Sequence, residues 1–339
     1  MINEGEVLKV AGRDAITSFL RSRSVFELVR TSGKVVVFET NIPIQLAFYA
    51  LLEHESAAAP LWDSSRREFI GLMTITDFVD ILRHYHDEHG KTGAAIEVLA
   101  SRSIAQVLED ANAGVHFKHA KEARSDGLGP LLSCGATGDY GGLIAVDADG
   151  SLYDACDAMR LNRRRFLPIV APKDCGILAV VTHVEILEYF VATFREERRL
   201  FDQPIIELGI GTFDDVAYVS NTTPLRDVLE LLCMRDISSV PVVDETGRVA
   251  ALYGHADITF LATATDADSV VVNLSSSVAD ILQQRRTDEP LHTCSQHATL
   301  QSVFELFADV KFRRLVCLDD DCRPVGVISA RDLLRYFLC

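Results

Sequence analysis

The sequence has no long apolar run, no paired-cysteine motif and too little positive charge to offset its acids. No stretch approaches 18 consecutive apolar residues, so a helical membrane span is not expected. The opening MINEGEVLKV carries Glu4 and lacks an apolar h-region, so it does not read as a secretory leader. The eight cysteines are scattered without CxxC spacing. That pattern suits free thiols in a reducing compartment rather than a disulfide framework. The closing Tyr336-Phe337-Leu338-Cys339 lacks the residues after cysteine that prenylation needs. There is no Walker A loop and no GxGxxG. Lys and Arg number 33 against 49 Asp and Glu, a formal charge of −16. Neutralising a phosphate backbone takes a basic surface, so a general nucleic-acid binder is excluded, although local cations could hold a small anion.

What is present is a large apolar complement. The chain of 339 residues is 48% hydrophobic and 24% charged, enough for roughly two or three domains with a substantial core. Self-similarity organises it. Four segments share one order of parts: SAAAPLWDSSRREFIGLMTITDF from residue 56, NRRRFLPIVAPKDCGILAVVTHVEIL from 162, MRDISSVPVVDETGRVAALYGHADI from 234, and VKFRRLVCLDDDCRPVGVISARDLL from 310. Pro60, Pro168 and Pro241 mark the same point in three copies, and Val316 replaces proline in the fourth. An acid follows 16 or 17 residues later: Asp77, Glu185, Asp257 and Asp332. Amphipathic patterns such as LRDVLELLCM and LQSVFELFADV precede the later copies. Each unit therefore reads strand, helix, strand, turn, strand, helix.

The expected blocks are an N-terminal segment 1–29, repeats at 30–90, 139–200, 210–272 and 287–339, and a linker 91–138. The long first gap between markers implies an insertion, and the polar, glycine-rich 112–142 is read as a mobile loop.

This pattern resembles the CBS domain, and AAPLWDS, GLMTITDF, LGIGTF, VPVVDETGRV and RRLVCLDD resemble the γ regulatory subunit of AMP-activated protein kinase. The resemblance implies an α/β (α+β) fold of four tandem βαββα repeats, paired into two Bateman modules that form a flat disc. It implies a regulatory subunit rather than an enzyme. AMP, ADP or ATP would be ligands, not cofactors, and a kinase catalytic α subunit and a β scaffold subunit would be partners. The expected location is cytoplasmic, with the nucleus as a second compartment.

A nucleotide site needs a carboxylate for the ribose hydroxyls, apolar walls for adenine, and cations or helix N-termini for phosphate. By resemblance, Asp77, Asp257 and Asp332 are the ribose acids. Glu185 is one methylene too long to reach a ribose without rearrangement, so no fourth working site is expected. Taken from one copy alone, each acid reads first as a helix cap; recurrence at constant spacing favours the ligand reading for Asp77, Asp257 and Asp332. Thr74 and Thr76 match threonines near ribose and phosphate. Thr212, Val216 and Ala217 match one purine wall, and Ile237 and Ser238 another. Ser329 belongs with the fourth-repeat acid. Arg165, Arg313 and Arg314 are the candidate phosphate cations, while Arg163 and Arg164 read as a solvated helix end.

The sequence departs from the family where cations are expected, with Ala57, Phe166, Val184 and Asp236 in their places. At about 1.5–3 kcal/mol per charge-assisted phosphate contact, several losses weaken binding by roughly a few powers of ten. This motivates an alternative: a nucleotide-insensitive γ-type scaffold that holds the α and β subunits.

Three other clusters are weaker. His84, His86 and His89 in LRHYHDEHG are poorly spaced for one metal ion. Cys317 and Cys322 flank an acidic turn without further zinc ligands. Cys294 and His297 lack a third group to make a catalytic set.

Overall fold

The computed structural model describes residues 4–29, 35–54, 56, 58–78, 80–81, 101–111, 143–162, 164–172, 176–194, 202–254, 257, 276–283, 291–309 and 314–338. The 112–142 insertion, the 84–89 histidine cluster, Ala57, Arg163 and Arg313 lie outside them.

A helix α1 (Glu4–Ser22) comes first, followed by a 3-10 turn at Val25–Leu28. Repeat one contains β1 (Phe38–Glu39), α2 (Ile44–Glu53), β2 (Ala58–Asp63) and β3 (Glu68–Thr74), then a helix starting at Ile75. A connector helix α3 (Ile104–Ala111) follows. Repeat two contains β4 (Val146–Asp147), α4 (Leu152–Leu161), β5 (Phe166–Val170), β6 (Ile177–Thr182) and α5 (His183–Thr193), with the short α6 (Ile205–Leu208) after it. Repeat three contains β7 (Val219–Ser220), α7 (Leu225–Met234), β8 (Ser239–Val243) and β9 (Val249–Gly254), then α8 (Val278–Gln283). Repeat four contains β10 (Thr293–Ser295), α9 (Leu300–Asp309), β11 (Arg314–Leu318), β12 (Pro324–Ser329) and α10 (Ala330–Leu338).

Each repeat forms its own three-stranded sheet, in which the middle strand pairs parallel with the first strand and antiparallel with the third. The middle strands are apolar on both faces; every residue of Ser239–Val243 is buried. The helices follow their sequence period. In α7, Leu225, Val228, Leu229 and Leu232 are buried on one stripe, as three- and four-residue spacing requires.

Proline in a middle strand is normally excluded because it cannot donate to the ladder. Here it sits just before the parallel pairing begins. Pro60, Pro168 and Pro241 precede Leu61, Ile169 and Val242, the first residues paired with β1, β4 and β7. In repeat four the valine restores the donor. Val316 N–H donates to His292 O at 3.1 Å, Val316 pairs with Thr293, and β10 is three residues long where its counterparts have two.

The hairpin turns of repeats one and three share one device. Asp63 Oδ1 accepts from Ser65 N–H (2.9 Å) and Oγ (2.6 Å), and Asp244 Oδ1 accepts from Thr246 N–H (2.8 Å) and Oγ1 (2.6 Å). The serine hydroxyl, foremost, holds the Asp63 carboxyl below its ordinary range, and the threonine hydroxyl does the same for Asp244.

No repeat closes on its own block of sequence. The start of α2 bridges Ser103, and Ile44 N–H donates to Arg102 O (3.0 Å) while Ile104 N–H returns to Ile42 O (3.0 Å). The same antiparallel bridge links Ser151 to Ser24, Pro224 to Ser277, and Thr299 to Pro204. Repeats one and three thus use the segment that follows them. Repeat two uses the N-terminal segment, and repeat four uses the segment between repeats two and three. The four closing segments share a motif: SVFEL, SIAQV, PIIEL and SVADI.

Two compact units result. One holds residues 1–34, 144–217 and 290–339, hence repeats two and four; the other holds 35–143 and 218–289, hence repeats one and three. In the first unit an aromatic cluster joins the helices. Phe190 of α5 lies 5.6 Å from the rings of Phe19 and Phe337 and 5.8 Å from that of Phe304.

Asp236, expected to replace a phosphate-facing cation, has a backbone role. It is exposed, has φ +50 just past α7, and precedes Ile237, whose N–H donates to Leu232 O at 3.0 Å. That is a left-handed helix stop, where aspartate is tolerated better than most side chains and glycine best. Asp236→Gly is expected to raise stability by about 0.5–1 kcal/mol in urea unfolding, reflecting the penalty removed at a left-handed site.

Candidate nucleotide site

The four marker acids share one local structure. Asp77 Oδ2 accepts from Thr74 N–H (2.7 Å) and Oγ1 (2.8 Å), with Asp77 2% and Thr74 1% exposed. Asp332 Oδ2 accepts from Ser329 N–H (2.9 Å) and Oγ (2.6 Å). Glu185 Oε2 accepts from Thr182 N–H (2.7 Å) and Oγ1 (3.1 Å), and its own N–H returns to Oγ1 at 3.4 Å. Asp257 Oδ2 accepts from Gly254 N–H at 2.6 Å, with no hydroxyl because glycine stands at the cap. All four acids therefore bond back to the last strand residue, as helix caps do. The extra methylene of Glu185 does not prevent the same geometry. Asp332 engages Ser329 through Oδ2 alone, which leaves Oδ1 for another donor among the described residues.

Strand register decides what faces each cap. Thr74 pairs with Ala58, Thr182 with Phe166, Gly254 with Ser239, and Ser329 with Arg314. A cation opposes the capped residue in repeat four and in no other repeat. Thr212 joins the same sheet, because its N–H donates to Val327 O at 2.9 Å and Val327 N–H returns at 3.0 Å. The approach is close. A Cβ on Gly326 would come within 2.6 Å of the Phe213 ring, and one on Gly211, at φ +117, within 3.1 Å of Val327 O.

The structure thus gathers Thr212, Arg314, Ser329 and Asp332 on the repeat-four sheet, with Val216 and Ala217 half-buried in the coil that follows Thr212. Thr74, Thr76 and Asp77 stand together in repeat one. Ser238 and Asp257 meet around Gly254 in repeat three, and Ile237 lies beside Ser238. Arg165 is half-buried just before β5.

Arg164 is a correction. It was read as a solvated helix end, but it is 8% exposed, and its N–H donates to Met159 O at 2.9 Å. The chain turns inward there to enter β5. Cys294 also differs from the sequence picture. Its close neighbour is Cys317, directly opposite in the ladder with sulfurs 3.2 Å apart, rather than His297. Among the described residues no group of three or more His, Cys, Asp and Glu is arranged to hold a metal ion.

Sequence reasoning missed His183 and Arg331. They occupy the first and second positions of α5 and α10. Burial, then the charges of Arg331 and Arg165, push the His183 imidazole down to about 4. An unfolded histidine titrates near 6.5, so the unfolded chain binds the extra proton first, and this group's contribution to stability falls as pH drops from about 6.5 towards 4. The available signal was a cation inside a THVE or SARD capping box, where the helix dipole disfavours it.

A family model for the CBS domain matches residues 210–261 and 278–339. Over 335 residues, 96% of the chain, it is 31% identical to the 5'-AMP-activated protein kinase subunit gamma of Dictyostelium discoideum. It is also 30% identical over 97% of its length to the gamma-3 subunit of Sus scrofa. The chain spans 53% and 58% of those two relatives, little more than half their length. A solved structure from Methanocaldococcus jannaschii, described as an archaeal homologue of g-AMPK, shares the fold. Its TM-score is 0.69 at 15% identity, covering 93% of this chain and 99% of that one.

Proposed function

We propose that the protein is a non-catalytic regulatory subunit that binds adenine nucleotides and tunes a kinase of the AMP-activated type, in complex with α and β subunits. The observation that carries this reading is the repeat-four constellation. An arginine faces a serine across two strands, and that serine is capped by a carboxylate with one oxygen still open. A ribose diol needs such an acceptor, and a phosphate needs such a cation. The similarity to γ subunits over nearly the whole chain supports the same reading.

Calorimetric titration with AMP and ATP tests it, using wild type and Asp332→Asn. The amide keeps a cap oxygen but loses the charge, so affinity should fall by about tenfold or more, on the scale of one charged hydrogen bond, while the fold survives. No heat from either nucleotide at millimolar concentration would sink the proposal.

A second reading, an assembly scaffold that ignores nucleotide, is favoured by Ala58, Phe166 and Ser239 at the positions where repeat four has Arg314. Kinase activity of the three-chain complex with and without AMP separates the two. A several-fold AMP response eliminates the scaffold.

A further inference from the structure

We infer that Cys294 and Cys317 form a thiol–disulfide site in repeat four, oxidised by a hydroperoxide and restored by a dithiol. The inference stands independently of the nucleotide-binding reading.

The other repeats supply the comparison. The residue after each marker is Leu61, Ile169, Val242 or Cys317, and each pairs in parallel with a residue of its repeat's first strand. Leu61 faces Phe38, Ile169 faces Val146, and Val242 faces Val219. Three repeats thus place two bulky apolar side chains where repeat four places two thiols. Core packing accounts for the apolar pairs. It gives no reason for both members of one pair to be cysteine.

Geometry allows the bond. Residues opposed in neighbouring strands lie about 4.8 Å apart, within the range of about 4.4–6.8 Å between Cα atoms that a disulfide spans. The two sulfurs stand 3.2 Å apart. On its other side Cys317 opposes Gly326, where a Cβ would lie 3.2 Å from the Cys317 Cβ and 2.6 Å from the Phe213 ring. Phe213 fills that side, and the Cys317 sulfur meets Cys294.

The two thiols are not equivalent. Cys294 lies on the edge strand β10 and is 9% exposed, whereas Cys317 in the middle strand is fully buried. The contact with Cys317, foremost, holds the Cys294 thiol below its ordinary range. The same contact, then burial, pushes Cys317 up. The thiolate is the nucleophile, so Cys294 attacks and Cys317 resolves. The Cys294 thiolate attacks a peroxide oxygen. An S–O bond forms, the O–O bond breaks, and the leaving oxygen takes up the proton that Cys294 gave away. The Cys317 sulfur then attacks the Cys294 sulfur. An S–S bond forms, the S–O bond breaks, and water leaves with the Cys317 proton. The two thiols lose two electrons in all, and the peroxide accepts them. In a reducing compartment such a bond is transient and senses oxidant rather than holding the fold.

The test treats the full-length native protein with an equimolar amount of hydrogen peroxide. The protein is then alkylated in denaturant, digested without reductant and mapped by mass spectrometry. Wild type should yield a linked peptide pair joining Cys294 to Cys317, while the exposed Cys322 remains open to alkylation. Dithiothreitol should reverse the link. Cys294→Val and Cys317→Val reproduce the Val219 and Val242 of repeat three, so both variants should fold, which melting curves check. In Cys317→Val the link should be lost and Cys294 should stop at the sulfenic acid, which dimedone traps. In Cys294→Val, Cys317 should stay reduced. If peroxide leaves both thiols of the native protein reduced, or joins either to a different cysteine, the pair is a core contact only and the inference fails. A link that forms only when peroxide is added in urea overturns it equally.

Discussion

Phe190→Ala should destabilise the unit of repeats two and four by about 3–5 kcal/mol, the usual cost of deleting a buried aromatic ring. The side chain is 2% exposed. It stacks on Phe194 at 4.7 Å and meets Phe19 edge-on at 5.6 Å, with Phe304 and Phe337 on its other sides. One ring therefore ties α1, α5, α9 and α10 together, elements drawn from the N-terminus, repeat two and repeat four. Helices so far apart in the chain cannot easily close in on the cavity. Against a total of about 5–15 kcal/mol for a domain, the loss brings the unit near unfolding at body temperature. Urea unfolding followed by helix signal should show a much lower midpoint. Phe190→Leu should recover most of it, and Ala at Phe26, which is 59% exposed, should stay within about 0.5 kcal/mol of wild type. A Phe190→Ala protein within 1 kcal/mol of wild type would mean that the aromatic cluster does not join these helices.

The repeats were legible because their cause is local. The spacing from marker proline to acid counts a strand, a tight turn, a second strand and one helical turn. Those parts have fixed lengths whatever surrounds them. Even the irregular copy makes sense at this level, since Val316 has an N–H that proline lacks and its strand is one residue longer.

The closing segments were not legible because their pairing is long-range. Ser24 and Ser151 meet across a repeat boundary, and nothing near either residue announces the other. Their shared SVFEL-type motif is a short capped apolar turn, too common a pattern to stand out until four bridges align it. The site divides the same way. The acids could be located from sequence, but capping and ribose binding call for the same residue at the same place, so sequence could not separate them. Arg331 was hidden for another reason. The expected cations lie before the middle strand or after its partner's cap, and the Arg331 charge acts on His183 from a different repeat, with α10 packed on α5.

Burial separates the caps from one another, and it sets the second large effect. Asp77→Ala should cost about 3 kcal/mol or more. Two donors on Thr74, one backbone and one hydroxyl, point at a single carboxylate oxygen in a site where acid and partner are almost fully buried. A hydrogen bond to a charged group contributes about 1.5–3 kcal/mol, and a donor left buried without a partner bears the full cost of its lost hydration. Asp332→Ala removes the same two bonds at a half-buried site that water can enter. It should cost about 1 kcal/mol, the ordinary scale of a lost cap. Asp77→Asn keeps an acceptor of the same shape and should fall between the two. Urea midpoints of the three variants give the order directly. Equal losses for Asp77→Ala and Asp332→Ala would show that burial is not what strengthens the first cap. With the predicted order, Asp332 is the weaker cap, and its charge is the freer to serve a ligand.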